Sequence, residues 1–282
     1  ALTAPAIVAL AVTALFPLLW TISLSFQDFQ VGANAPASSF VGGENYIQIL
    51  TSPEFVRALV QTLGYVTTTL VLELAIGLPI ALALQKTTRG RRLLRVIVAL
   101  PLMVAPVVAA LAFKFLFSSD YGLINQGLAA VGLPTPTWFA DVWLARTTIL
   151  VTNLWLALPF VVLVLLAGLV NIPDEIIEAA RTDGAGRWRT LVHIILPLLR
   201  PALLIILVIR LADAFRMFDA VYVLTGGGPA NSTEVMSSFL YRLMFTRADF
   251  AGAAAATIIF VMVIAVFAGA IFFLLRDREA HR

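Results

Sequence analysis

The chain has 282 residues, of which 61% are hydrophobic and 12% charged, and its mean hydropathy is +0.97. Soluble domains carry about 25% charged residues, so this composition excludes an ordinary soluble protein and predicts one polytopic membrane domain over residues 1–282. Cysteine is absent, which excludes disulfides and cysteine-ligated metals, and the net charge of +3 comes from basic residues between apolar stretches, a pattern that favours membrane topology over nucleic-acid binding.

Six apolar segments are long enough to cross a bilayer as helices, because a span needs about 20 mostly apolar residues. In chain order they are 3–25, 57–85, 94–117, 145–170, 200–224 and 252–275. The sequence therefore predicts an all-α polytopic membrane protein with six transmembrane helices. The sixth segment begins with the small residues GAAAA, which favour close helix packing.

Lysine and arginine are concentrated in alternate connections between these segments. Five lie in the turn 85–95 and four in the loop 171–200, whereas the stretches 26–56 and 118–144 contain none. The positive-inside rule places the basic connections in the cytoplasm. Both chain ends are therefore predicted to be cytoplasmic.

The loop 171–201 is longer and more charged than a turn between two spans requires. Residues 174–183 are good helix formers, Gly184 and Gly186 interrupt them, and a second helical stretch follows. Two short helices joined at a glycine are therefore predicted to protrude from the cytoplasmic surface. An amphipathic helix lying on the membrane is the alternative.

Four ionisable residues lie inside the fifth apolar segment, each three positions from the next and alternating in sign: Arg210, Asp213, Arg216 and Asp219. Ionisable groups at membrane depth are functional candidates by default. One interpretation is a self-neutralising ladder along the helix that supports packing. The other is a polar cavity, with Asp213 and Arg216 contributing to substrate passage. Because the spacing drifts around a helix, all four are not expected to face one point.

Aromatic and amide side chains near these charges complete the candidates for a solute path. Such side chains can hold a polar solute through hydrogen bonds and through ring stacking. The candidates of this kind are Asn153, Trp155, Phe215, Phe218 and Tyr222. For Asn153, a hydrogen bond to a neighbouring helix is the alternative.

Two more ionisable residues lie within the apolar segments. Glu73 is predicted to need a partner on another helix, and Lys114 is predicted to reach the membrane interface as an anchor. The chain has only two histidines, so no metal site is predicted. No nucleophile lies in a pattern with a base, so the chain is not expected to be an enzyme.

The cytoplasmic loop contains Glu178-Ala179-Ala180, then three residues, Gly184, nine residues and Ile194-x-Leu196-Pro197, together with Asp183, Ala185 and Trp188. This spacing resembles the EAA loop of binding-protein-dependent ABC importer permeases, in its extended form. The stretch 216–229, RMFDAVYVLTGGGP, and Leu165–Pro173 are similar to segments of the carbohydrate-uptake branch, which handles oligosaccharides, polyols and glycerol phosphates.

The resemblance implies a type I ABC importer permease fold and import of a carbohydrate or related polyol. It implies that the loop docks on an ATPase through Glu178, Ala179, Ala180, Asp183, Gly184 and Arg187. The implied partners are a second homologous permease in a heterodimer, two ATPase subunits that bind ATP and magnesium, an extracytoplasmic solute-binding protein, and the lipid of a bacterial or archaeal inner membrane.

The chain has no phosphate-binding GxxxxGK[ST] motif, so no cofactor is expected in it and ATP must act through a partner. Three other functions stay open. An ABC permease for amino acids or peptides conflicts with the GGP stretch, and an ion-coupled secondary carrier leaves the EAA spacing unexplained. An integral membrane enzyme would need a catalytic constellation that the sequence does not show.

Overall fold

A computed structural model describes residues 7, 9, 11–29, 38–87 and 90–276, with the backbone alone at residues 91 and 271–276. This part of the chain is almost entirely helical, as the sequence predicts. The α-helices are α1 (Phe16–Ser25), α2 (Glu44–Thr51), α3 (Pro53–Lys86), α4 (Arg91–Ala99), α5 (Pro106–Leu116), α6 (Leu123–Ala130), α7 (Val142–Val170), α8 (Asp174–Thr182), α9 (Arg187–Thr190), α10 (Leu196–Leu198), α11 (Arg200–Phe215), α12 (Asp219–Leu224), α13 (Met236–Tyr241) and α14 (Phe250–Arg276).

Short elements of other types join these helices. Five-residue π-helical turns lie at Ala11–Leu15, Leu191–Ile195 and Arg242–Thr246, and a 3-10 turn lies at Leu100–Met103. Two strands, β1 (Gln27–Asp28) and β2 (Ser39–Phe40), pair antiparallel with Gln27 opposite Phe40.

Three helices are long and apolar enough to cross a membrane as single spans. They are α3, α7 and the Phe250–Ala270 part of α14. A shorter apolar helix covers Ala11–Ser25, within the first predicted segment. Residues 1–6, 8 and 10 of that segment lie outside the described part of the chain.

The third predicted span, 94–117, is bent, so the prediction of one continuous helix there was wrong. Arg92–Met103 meets Pro106–Leu116 at 98°, whereas the bend of 67° between Arg187–Leu198 and Arg200–Leu224 lies before the start of the fifth predicted span. Proline explains the first bend, because Pro101 and Pro106 cannot continue a helix without losing backbone hydrogen bonds. The described residues thus hold three spanning helices, or up to five if each bent pair is one span. The count of six stays a prediction.

The chain divides into two compact units, residues 1–62 with 234–282, and residues 63–233. In the first unit α1, α2 and α13 pack against α14. Its start, Ala253 to Ala256, is buried, which confirms that small residues there allow close packing. Arg242 donates hydrogen bonds to Glu234 at 2.6 Å and to Glu54 at 3.4 Å. Burial raises the pKa of Glu234 above the ordinary glutamate value, although Arg242 acts in the opposite direction.

The second unit, residues 63–233, has its apolar core where α3, α7 and α11 meet. Buried residues of this core include Ala81, Leu165 and Ile206. Gly168 permits the close approach of α7 and α11, because a Cβ atom there would lie 2.8 Å from Leu199 Cδ2 and 3.0 Å from the Cβ atom of Ala202. The same unit contains the cavity and the loop 171–201 described next.

Candidate functional site

A cavity of about 410 Å³ lies beside the broken helices of the second unit. Its wall includes Pro101, Val104 and Pro106 from the bend before α5, and Asn153 from α7. The rest of the polar wall comes from the end of α11 and the start of α12. Small-molecule sites in proteins occupy about 300–1,000 Å³, so the cavity falls within that range.

All four charged residues of the fifth predicted span line this cavity: Arg210, Asp213, Arg216 and Asp219. The expectation that helical drift would keep them from facing one point was therefore wrong. Helix α11 ends at Phe215 and α12 begins at Asp219, and the residues between them are not helical. Because of this interruption, the angle between Arg210 and Asp219 about the helix axis is not that of one continuous helix, and Asp219 reaches the same cavity as Arg210.

Arg210 is the most heavily bonded of these charges. Its Nε and Nη2 atoms donate to Glu73 Oε2 and Oε1 at 3.0 and 2.7 Å, and Nη1 donates to Asp213 Oδ2 at 3.0 Å. Glu73 is completely buried, while the Asp213 side chain is 51% exposed. The prediction of an interhelical partner for Glu73 is confirmed, since α3 and α11 carry the two residues.

The ladder of alternating charges forms only in part. The Arg210–Asp213 pair is present, but neither Arg216 nor Asp219 makes an ion pair within the described residues. Asn153 lines the cavity and its side chain likewise has no hydrogen-bond partner in the described ranges. The side chains of Asn153, Arg216 and Asp219 are therefore available to a molecule in the cavity, and the half-exposed Asp213 carboxylate can also accept a hydrogen bond there.

The aromatic candidates divide into two groups. Phe218 lines the cavity and stacks on Tyr222, with ring centroids 5.0 Å apart and planes 17° apart. Trp155 packs against Phe113 with centroids 5.6 Å apart and lies outside the cavity wall. Phe215 is only 2% exposed and is not part of the cavity wall that the described residues form, so its place on the solute path stays a prediction. It is the last residue of α11 and points into the packed side.

Lys114, near the end of α5, makes a specific contact that the sequence did not suggest. Its Nζ atom donates a hydrogen bond to the carbonyl oxygen of Val223 at 2.8 Å. The contact joins α5 to α12, the two helices that follow the interruptions on either side of the cavity. The predicted role of an interfacial anchor is thus accompanied by a structural one.

The loop 171–201 folds as two helices joined at a glycine, as predicted. Helix α8 ends at Thr182, Gly184 adopts a left-handed φ of +77°, and α9 begins at Arg187. The amide of Gly184 donates to the Arg181 carbonyl at 3.0 Å and that of Ala185 to the Ala180 carbonyl at 2.9 Å. This is the Schellman arrangement that closes the C-terminus of a helix, and it explains why glycine stands at position 184.

Most of the proposed docking residues of this loop are exposed. They are Glu178, Ala179, Asp183, Gly184 and Arg187. Ala180 is 6% exposed, and its predicted part in docking stays a prediction. Trp188 is 76% exposed, which is unusual for so large an apolar side chain. Beside the loop, a groove of about 250 Å³ is lined by Glu178, Arg181 and Lys86, among others.

The turn that contains TGGGPANST is closed by side-chain hydrogen bonds. The Thr225 and Thr233 hydroxyls lie 2.8 Å apart, and the Thr233 hydroxyl donates to the Gly228 carbonyl at 2.7 Å. Arg146 of α7 donates to the Ser232 carbonyl through two nitrogens, at 3.0 and 3.2 Å. The turn is therefore held in one shape and tied to α7.

Sequence reasoning missed the contribution of the third predicted span to the cavity. Pro101 and Pro106 were the available signal, because two prolines five residues apart interrupt a helix. It also missed the interruption after Phe215, where the sequence RMF contains neither proline nor glycine. No local feature of the sequence indicates that second break.

Known proteins resemble this chain along most of its length. Residues 74–280 match the family described as binding-protein-dependent transport system inner membrane component. The trehalose/maltose transport system permease protein MalF of Thermococcus litoralis is 36% identical over 230 residues, 81% of this chain and 78% of that protein. The trehalose transport system permease protein SugA of Mycobacterium tuberculosis is 32% identical over 244 residues, 86% of this chain and 77% of that protein.

A solved structure shares the fold. It is a bacterial alginate ABC transporter in complex with an alginate pentasaccharide-bound periplasmic protein, and one of its chains matches this one with a TM-score of 0.82. The match covers 95% of this chain and 90% of that chain at 24% sequence identity. At that identity the likeness establishes the type I permease fold and no more.

Proposed function

The chain belongs to the family of binding-protein-dependent transport system inner membrane components, and from this we propose that it is a permease subunit of an ATP-driven importer for a carbohydrate or related polyol. The observation that carries the proposal is the extent of the family match. Residues 74–280 include the cavity and the whole of the loop 171–201. The chain is a membrane component of a transport complex and not its ATP-hydrolysing enzyme.

The cavity is the proposed passage for the solute. Asn153, Arg216 and Asp219 offer donors and acceptors that sugar hydroxyls bond well, and the Phe218 ring supplies an apolar surface for stacking. Relatives named as trehalose or maltose permeases support a carbohydrate. Asp213 and Arg216 are the proposed main contacts, with Arg210 holding Asp213 in place.

The loop 171–201 is the proposed docking element for the ATPase. Its exposed residues include Glu178, Asp183 and Arg187, which are charge partners, and Ala179, which permits close approach. A separate ATPase dimer binds ATP with magnesium, and its closure moves this loop and opens the cavity to the other side. Energy reaches the chain through this contact, because the sequence has no phosphate-binding motif of its own.

The other proposed partners complete the complex. A second, homologous permease forms a heterodimer with this chain, and an extracytoplasmic solute-binding protein delivers the ligand to the outer loops. The alginate transporter, solved with its periplasmic protein, supports an assembly of this kind. The proposed location of the complex is the inner membrane, with the loop and both chain ends in the cytoplasm, and the basic connections support this orientation.

Reconstitution into proteoliposomes tests the proposal. The chain is combined with its second permease, ATPase and binding protein, and radiolabelled maltose and trehalose are offered as probes. We expect sugar to accumulate when ATP is present and not when a proton or sodium gradient replaces it. Accumulation driven by an ion gradient alone would show a secondary carrier, and uptake of amino acids or dipeptides in place of both sugars would show another solute class.

A further inference from the structure

Glu73 lies behind the cavity and does not touch it. Its carboxylate is completely buried and is held by two nitrogens of Arg210, at 2.7 and 3.0 Å. The third bonded nitrogen of the same guanidinium reaches the Asp213 carboxylate at 3.0 Å. The guanidinium is a planar fork, so fixing one edge of it in a bidentate pair also fixes the direction in which the remaining nitrogen points.

We propose that Glu73 is a positioning residue for transport, which acts through Arg210 to hold the Asp213 carboxylate in the cavity. The inference rests on the proposed role of Asp213 in solute passage. Arg210 is 7% exposed, whereas the Asp213 side chain is 51% exposed and free to turn toward other positions on the cavity side. The buried pair supplies the fixed point that an exposed side chain lacks.

The charges of Glu73, Arg210 and Asp213 also indicate a positioning role for Glu73. A buried arginine needs a counter-ion, and without Glu73 the guanidinium would have Asp213 alone. Asp213 would then be the sole counter-ion of Arg210, and its carboxylate would be held against the guanidinium. With Glu73 present, the Arg210 charge is cancelled from behind, and the Asp213 carboxylate keeps acceptor capacity for a solute hydroxyl.

The experiment distinguishes a positioning role of Glu73 from a purely structural one. Complexes with Glu73→Gln, Asp213→Asn and both changes are reconstituted with saturating loaded binding protein, and uptake and ATP hydrolysis are measured together. The probe is maltose or trehalose, whichever the unaltered complex accumulates faster. We expect Glu73→Gln to lower the sugar moved per ATP by about tenfold, the worth of one charge-assisted hydrogen bond. In the Asp213→Asn background it should have no further effect.

Thr69 provides a matched control one helical turn from Glu73. It is completely buried on α3, and its hydroxyl has no hydrogen-bond partner within the described ranges. Thr69→Val should leave the sugar moved per ATP unchanged. If Glu73→Gln alone prevents assembly, the double variant Glu73→Gln with Arg210→Gln removes both buried charges and is measured in its place, with the same loss expected.

Three results would overturn the inference. Equal loss of uptake and ATP hydrolysis would assign Glu73 to assembly alone. Additive effects of the Glu73 and Asp213 changes would show that Glu73 does not act through Asp213. Normal transport by the Asp213→Asn complex would remove Asp213 from the path while leaving the importer intact. Failure of the unaltered complex to accumulate either sugar would instead refute the proposed function, and the inference with it.

Discussion

Replacing Gly184 by alanine tests how the loop 171–201 is built. Gly184 adopts φ +77°, and a Cβ atom there would meet no atom within 4 Å. The penalty is therefore confined to the backbone, and a left-handed conformation costs an L-residue about 1–2 kcal/mol. Alanine also restricts the unfolded chain, which returns about 0.4–1 kcal/mol. The net loss should be about 1 kcal/mol, or about fivefold in the equilibrium for the closed loop.

Two measurements report this loss. Hydrogen exchange of the Ala185 amide, which donates to the Ala180 carbonyl, should become about fivefold faster as the loop opens more often. If the loop is the docking element, the apparent affinity of the ATPase for the permease should fall by about the same factor. Gly184→Asn should show smaller losses of amide protection and of ATPase affinity, because asparagine tolerates the left-handed conformation better than alanine does.

Gly64→Ala controls for the substitution itself. Gly64 lies inside α3, and a Cβ atom there meets nothing within 4 Å, so this change should be neutral or slightly stabilising. If Gly184→Ala matched Gly64→Ala in both measurements, the reasoning about the Schellman closure would fail. Faster exchange with unaltered ATPase affinity would uphold the loop structure and remove the loop from the docking surface.

Three further predictions concern stability. Gly168→Val should lower the stability of the purified complex by about 1–3 kcal/mol in thermal unfolding, because the new side chain overlaps Leu199; an unchanged midpoint would contradict the close approach. Thr69→Val should raise the midpoint or leave it unchanged, since it removes an unpartnered buried hydroxyl. The pKa of Glu234 is raised by burial, so its stabilising contribution is present below the ordinary glutamate pKa and is lost as pH rises through the raised one. Glu234→Gln should flatten the pH dependence of the unfolding midpoint. A pH profile identical to that of the unaltered protein would refute this prediction.

Hydropathy and glycine placement predicted much of the fold correctly. The segment 145–170 corresponds to the helix Val142–Val170, and the loop 171–201 divides at Gly184 as expected. These features depend on local properties, namely the length of an apolar run and the conformational freedom of glycine. A single sequence contains that information.

The cavity depended on properties that are not local. Hydropathy measures how apolar a segment is and says nothing about its direction, so the bend of 98° within the third predicted span was missed. The place of Phe215 inside the protein followed from where α11 ends, and the sequence RMF after it gives no sign of that end. Membership of the cavity wall is therefore a tertiary property.

The break after Phe215 has a consequence for how the charges work. At about 100° per residue, a continuous helix would place Asp219 about 180° from Arg210, and the two could not share one cavity. In a membrane, non-helical backbone is tolerated only where protein or water covers its polar groups. Both interruptions, at Pro101–Pro106 and at Arg216–Phe218, border the same cavity. The cavity thus makes the breaks tolerable, and the breaks in turn bring Arg216 and Asp219 to it.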